Sequence, residues 1–107
     1  MNLTKKKCVP CEGGMPPMEK KKVNELLKEV PTWALNNGHL CKRINFKNFV
    51  EAMEFLNKVA KIAEREGHHP DFCVHYRKVD FEIWTHAVNG LSENDFILAA
   101  KIDKLQK

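Results

Sequence analysis

The chain lacks any long hydrophobic segment. None of its apolar runs approaches the roughly 20 residues that a helix needs to span a bilayer. Its first residues lead directly into a lysine triplet at positions 5–7, without the apolar stretch of a secretory signal. We therefore expect a cytoplasmic protein with no membrane association. Its 107 residues fit one domain with a single core.

Cysteine is scarce, with four residues in the chain. Cys8 and Cys11 have the spacing of a zinc knuckle or a redox pair. A structural zinc site needs two more ligands, and neither a second C-x-x-C nor an H-x-x-x-H motif follows. We therefore favour an unpaired loop turn for this pair, with zinc binding and redox sensitivity as the alternatives. Cys41 and Cys73 stand alone, and we expect both to be small buried apolar groups.

The chain also lacks a strong charge imbalance. Its 18 basic and 14 acidic residues leave a net charge of +4. Lysine triplets at 5–7 and 20–22 could form a basic patch, but acidic residues are interleaved through the rest of the chain. Neither an aromatic-rich basic ribbon nor a recognition-helix motif is present. We interpret the lysines as a solvated surface and predict no direct contact with nucleic acid.

Hydrophobic periodicity predicts an irregular arm followed by seven regular elements. Residues 1–18 contain three of the five prolines and a Gly-Gly pair, which indicates an irregular arm. Residues 19–107 form the predicted single domain. We predict helices at 19–30, 47–66 and from 92 onward, and strands at 33–35, 40–46, 72–76 and 79–86.

These elements indicate an α+β fold. Along the last predicted strand, Val79, Phe81 and Ile83 alternate with mostly polar residues, as in an antiparallel sheet that is covered on one side. Two hairpins separated by helices favour a sandwich of helices on a sheet. We predict a four-stranded antiparallel sheet with three helices packed on one face, in the order α-β-β-α-β-β-α.

Histidine is concentrated in one part of the chain, since four of the five histidines lie between positions 68 and 86. The unperturbed pKa of histidine lies near neutrality, so such a cluster indicates proton transfer, metal binding or pH sensing. Gly67 ends the long predicted helix, and Pro70 disfavours helical geometry at His69. From this irregular corner, His68 and His69 can both reach one cavity.

Other polar residues extend the candidate site. Glu64 precedes His68 by one helical turn, close enough to orient its ring. His86, at the predicted end of the last strand, approaches the same corner if that strand lies beside its predicted hairpin partner. Asp95 follows Ser92 with capping-box spacing, so its carboxylate also fits a structural role at the start of the last helix.

Structural alternatives stay open for the other residues. His69 or His86 can be a hydrogen-bonded histidine at a strand edge, and Glu64 can be a solvated helix residue. A metal site that combines His68, His75 and His86 with a carboxylate lacks the i, i+4 pairing of strong histidine motifs. We interpret Trp33 and Trp84 as packing residues. We assign no role in the site to His39 or His75.

The spacing of these residues resembles that of a known family. The chain contains Glu64-x3-His68-His69-Pro70-x5-Tyr76-x9-His86-x8-Asp95. This pattern is similar to that of the pterin-4a-carbinolamine dehydratases, also described as dimerization cofactors of a homeodomain factor. The resemblance spans residues 19–103 and includes Phe46-Lys47-Asn48-Phe49 and Gly90-Leu91-Ser92-Glu93-x-Asp95.

The resemblance implies a fold with the same element order, in homodimers or homotetramers. It also implies a hydro-lyase that removes water from 4a-hydroxytetrahydrobiopterin to give a quinonoid dihydropterin. That reaction recycles tetrahydrobiopterin after the aromatic amino acid hydroxylases have used it. Such a reaction requires no metal and no cofactor, because histidines with pKa values near neutrality can move both protons.

The resemblance further implies roles for individual residues. His68 and His86 would transfer protons, and His69 would hold and polarise the pterin. Glu64 would support the histidines, and Asp95 would shape the rim of the pocket.

Two departures and one alternative accompany this hypothesis. Gly67 stands where some family members have an acidic residue, and Asn94 stands where some have an arginine. The alternative is a non-catalytic binding protein, since some members are dimerization partners of transcription factors or degenerate assembly factors. A scaffold has no need of all three histidines, which favours the enzyme.

Overall fold

A computed structural model describes residues 3–9 and 16–106 of the chain. Its elements are α1 (Lys20–Leu27), β1 (Ala34–Asn36), β2 (His39–Asn45), α2 (Phe49–Glu66), β3 (Asp71–His75), β4 (Lys78–Ile83) and α3 (Glu93–Leu105). Short 3-10 turns cover Leu3–Lys5 and His86–Val88. The strands form one antiparallel sheet in the order β1-β2-β4-β3. The predicted α+β fold and the order α-β-β-α-β-β-α are confirmed.

One face of the sheet forms the core together with the helices. In β4, Val79, Phe81 and Ile83 are buried as their alternation predicted, and the residues between them are partly exposed. Phe96 and Ile97 of α3 are buried in the same core cluster. Burying a large apolar side chain stabilises a fold by about 1.5–3 kcal/mol, so this shared core holds the helices on the sheet.

Local signals set both ends of α2. The Oδ1 atom of Asn48 accepts the N–H of Glu51 at 2.9 Å, which caps the helix and starts it at Phe49. At the other end, Gly67 has a φ of 65°, and its N–H donates to the carbonyl of Ala63. This left-handed cap ends the helix where the sequence predicted and turns the chain toward the histidine pair.

The last strand is shorter than predicted. We expected a strand through His86, but β4 ends at Ile83. Thr85 pairs with Gly90 instead: the Thr85 N–H donates to the Gly90 carbonyl at 2.8 Å, and the Gly90 N–H donates back at 3.3 Å. The chain between them makes a 3-10 turn and reverses at Asn89, where φ is 52°. His86 therefore lies on a tight loop and not at a strand end.

Residues 3–9 of the arm pack against α3. Leu3 is buried in the core cluster, and the Nζ atom of Lys6 lies 3.0 Å from Oε1 of Glu93. The division into an arm at 1–18 and a domain at 19–107 stays a prediction.

Candidate active site

The candidate site is built around the carboxylate of Asp95. This side chain is fully buried in the first turn of α3. Its Oδ1 atom accepts a hydrogen bond from Nε2 of His68 at 2.6 Å. Its Oδ2 atom accepts from the Thr85 hydroxyl at 2.9 Å and from the Ser92 N–H at 2.8 Å. Asp95 thereby joins the end of α2, the loop after β4 and the start of α3, and it also caps α3 as its spacing predicted.

His68 is oriented by this carboxylate. Its side chain is only 11% exposed, and the bond from Nε2 fixes the plane of the ring. A neutral imidazole that donates from Nε2 keeps an acceptor lone pair on Nδ1. We had expected Glu64 to orient His68 and Asp95 to form the pocket rim. In the structure, Asp95 makes the orienting contact, and its side chain is fully buried.

His69 points to a different partner. Its Nε2 atom lies 2.5 Å from Oε2 of Glu64, and both side chains are largely exposed. The left-handed turn at Gly67 separates the two neighbouring histidines, since His68 reaches the buried Asp95 and His69 reaches back to the surface of α2. The two rings therefore have different environments, which suits two different roles.

His86 contacts an aromatic stack that its sequence neighbourhood does not reveal. Its ring centroid lies 3.7 Å from that of Trp84, at an interplanar angle of 33°. The indole also stacks on His39, with 4.4 Å between centroids and an angle of 10°. We assigned His39 no role from the sequence. The pairing of Leu40 with Ile83 brings its strand end beside Trp84.

A cavity of about 480 Å³ opens beside His68. Two of the candidate residues line it, Glu64 and His68. Thr85 and Ala87, which flank His86 in the chain, also line it. His69 and His86 are not among the lining residues. The volume lies within the range of ligand-binding pockets, about 300–1,000 Å³.

The arm forms another wall of this cavity. Cys8 and Val9 line it. The side-chain amide of Asn94 forms hydrogen bonds with both backbone polar groups of Val9. The Val9 N–H donates to Oδ1 of Asn94 at 3.0 Å, and Nδ2 of Asn94 donates to the Val9 carbonyl. The Cys8 N–H donates to Oε1 of Glu66 at 2.9 Å. Asn94 thus fastens the arm to the first turn of α3.

The cysteines and possible metal ligands are spread through the described residues. Cys8 is partly buried, and Cys11 lies outside the described residues, so the zinc and redox hypotheses for this pair stay predictions. Cys41 is partly buried, but Cys73 is exposed on β3, so our expectation that it is buried was wrong. Within residues 3–9 and 16–106, no group of three or more His, Cys, Asp or Glu side chains is arranged to hold a metal ion.

The fold and this cluster together define a class: a small α+β protein with a histidine–carboxylate site at one end of an antiparallel sheet. Residues 16–105 match the model of a family described as pterin 4 alpha carbinolamine dehydratase. The chain belongs to this family. Among its described helices, none has the length and apolar character required to cross a membrane.

Individual relatives agree with the family match. A protein from Rickettsia canadensis is 55% identical over 103 residues, which cover 94% of each chain. A protein from Halorhodospira halophila is 46% identical over 107 residues, which cover 98% of each chain. Both are named for the pterin-4-alpha-carbinolamine dehydratases. The crystal structure of a transcriptional coactivator/pterin dehydratase from Brucella melitensis matches with a TM-score of 0.81 at 28% identity, covering 85% of this chain and 99% of that one.

Proposed function

We propose that the chain is a hydro-lyase that removes water from 4a-hydroxytetrahydrobiopterin and releases a quinonoid dihydropterin, as a step of tetrahydrobiopterin recycling. Its family and the names of its relatives support the substrate class. The hydrogen bond between the buried Asp95 and His68 is the observation that carries the chemistry. It supplies an oriented imidazole beside a cavity of suitable size.

The reaction needs one proton delivered and one removed. A general acid protonates the 4a-hydroxyl oxygen, the carbon–oxygen bond breaks, and water leaves. A general base takes a proton from a ring nitrogen, whose bonding electrons form the new carbon–nitrogen double bond. Histidine suits both tasks because its ordinary pKa lies near neutrality. The residues of this chain therefore suffice without a metal or a cofactor.

The two transfers are assigned to His68 and His86. Asp95 orients His68, and Thr85, the residue before His86, donates to the same carboxylate. The buried carboxylate that orients His68 therefore also anchors the start of the loop that carries His86. His69, paired with Glu64, would hold and polarise the pterin at the exposed side of the corner.

Stopped-flow measurement of the decay of a 4a-hydroxytetrahydropterin, with and without the protein, tests this function. We expect faster decay with the protein. In His68→Ala and His86→Ala, we expect kcat to fall by at least about 100-fold while pterin binding persists. His75→Ala is the control, since this exposed histidine lies on β3 and contacts Asp80 at 3.8 Å. An unchanged decay rate with wild-type protein would refute the proposal, and lost binding with normal residual turnover would reverse the roles.

A second candidate is a partner protein that also carries the enzyme site. The Brucella melitensis protein is described as both a transcriptional coactivator and a pterin dehydratase, which favours this combination.

We also propose that the chain forms homodimers or homotetramers, as the family does. Three apolar side chains at the start of α2 are exposed and support an assembly: Phe49, Val50 and Met53. Sedimentation equilibrium tests it, and a monomer at micromolar concentration would contradict it. The cytoplasmic location stays a prediction from the sequence.

A further inference from the structure

The ring of His86 packs against the ring of Trp84, and Trp84 in turn stacks on His39. We call the rings of His39, Trp84 and His86 the Trp84 stack. Its indole contacts both imidazoles: the ring centroids lie 4.4 Å from His39, stacked at 10°, and 3.7 Å from His86, tilted at 33°. The stack continues from the end of the sheet into the loop that carries His86.

His39 and Trp84, two rings of the stack, are anchored on the sheet. Nδ1 of His39 lies 2.6 Å from Oε2 of Glu82, a residue of β4. The indole N–H of Trp84 donates to Oδ2 of Asp71 on β3, at 3.4 Å. Trp84 is thus held on one face by His39 and along one edge by Asp71. The indole is thus contacted from β2 and β3, and its neighbour His39 is in turn held by Glu82 on β4.

The third ring of the stack, His86, has a less constrained position. His86 is exposed and lies on the 3-10 turn that follows β4. A side chain on a loop is positioned less accurately than one on a strand or a helix. An exposed side chain also keeps rotamer freedom, and a shift of about 1 Å in a reacting group can cost about 100-fold in rate. Packing against a fixed indole limits the orientations that the imidazole can adopt.

We propose that Trp84 is a positioning residue that orients His86 for proton transfer, with His39 as its support. This proposal rests on the proposed function, because it gives His86 a catalytic part. It also accounts for His39, to which we assigned no role, and for Trp84, which we interpreted as a packing residue. Trp84 does not itself exchange a proton, because an indole N–H is only a donor.

Kinetics of three variants test the positioning role. We expect Trp84→Leu to lower kcat by about 10-fold or more with little change in KM, because a misplaced group weakens the transition state and not substrate binding. Trp84→Phe keeps an aromatic face and should lose less. His39→Ala should give a smaller loss in the same direction. His75→Ala again serves as the control, and circular dichroism with thermal melting checks that each variant folds.

A double variant separates positioning from a general disturbance. If Trp84 acts through His86, then adding Trp84→Leu to His86→Ala should lower kcat no further. In the NMR spectrum, the ring protons of His86 should lie upfield because of the indole, and Trp84→Leu should move them to ordinary positions. This readout reports the contact independently of activity.

Other results would overturn the proposal. A normal kcat in Trp84→Leu would do so, as would fully additive losses in the double variant. A rise in KM alone would make Trp84 a binding platform for the planar substrate. If the wild-type protein is inactive, the proposed function fails and takes the positioning role with it. An active wild type with an unaffected Trp84→Leu variant refutes the positioning role alone.

Discussion

At the scale of the residue, Asp95 has the most connections in the site. It is fully buried, and its two oxygens accept from an imidazole, a hydroxyl and a backbone N–H. Removing such a buried acceptor destabilises the fold, because each donor that loses its partner stays buried without a hydrogen bond. The capping role of Asp95 and its contact with His68 are therefore one arrangement, and the two interpretations of its spacing do not exclude each other.

We predict that Asp95→Asn lowers both stability and activity. The amide keeps the size of the side chain but has one acceptor oxygen in place of two, so a donor among His68, Thr85 and Ser92 meets an NH₂ group. We expect the free energy of unfolding to fall by about 1–3 kcal/mol in urea titrations. We also expect a lower kcat, since His68 loses its orientation. Glu54→Gln makes the same chemical change on the exposed side of α2 and should change neither quantity.

At the scale of the element, the end of α2 decides where two histidines point. Gly67 has a φ of 65°, and a Cβ atom there would meet nothing within 4 Å. The requirement for glycine is therefore conformational and not a matter of space. This turn was predictable, because a glycine after an apolar helix is a local signal. The partner of His68 was not, because it depends on where α3 lies.

We predict that Gly67→Ala destabilises the fold by about 1 kcal/mol, since a Cβ atom disfavours the left-handed region. Gly67→Asn should lose less, because asparagine tolerates that region. Urea denaturation of the three proteins measures both effects. Equal stability of the alanine variant and the wild type would show that the cap does not need its left-handed geometry.

The loop after β4 shows why one boundary was mispredicted. Thr85 and His86 continue the alternation of the strand, so periodicity extends it to position 86. Two contacts outside the ladder accompany its earlier end: Thr85 pairs with Gly90, and its hydroxyl donates to Asp95. A hydrogen bond to a buried carboxylate outweighs a weak strand preference.

At the scale of the whole molecule, Glu66 connects three parts of the chain. Its Oε2 atom accepts from Nζ of Lys101 on α3 at 2.8 Å, and its Oε1 atom accepts the N–H of Cys8 in the arm. The hydrogen bond from Lys101 is the main cause that lowers the pKa of Glu66 below its ordinary value, against the opposing effect of burial. The folded state therefore binds a proton at this site less readily than the unfolded chain does.

The sign of the pH dependence follows from that lowered pKa. The stabilisation by Glu66 is present above the ordinary glutamate pKa of about 4.3 and is lost as the pH falls through the lower, folded-state value. We predict that wild type is more stable than Glu66→Gln near neutral pH. That difference should shrink as the pH falls below about 4.3. Urea titrations across this range measure it, with Glu54→Gln as the control. A difference that stays constant with pH would contradict the prediction.

The sequence by itself determined the elements, their order and the candidate histidines. Those features depend on local signals: the apolar period of each segment, the glycine after α2 and the caps at Asn48 and Ser92. Only the tertiary structure decided which groups meet. His68 meets Asp95, 27 positions away, His39 meets Trp84, and Asn94 meets Val9 in the arm. Such contacts arise when strands and helices pack on a shared core, and no local period in the chain encodes them.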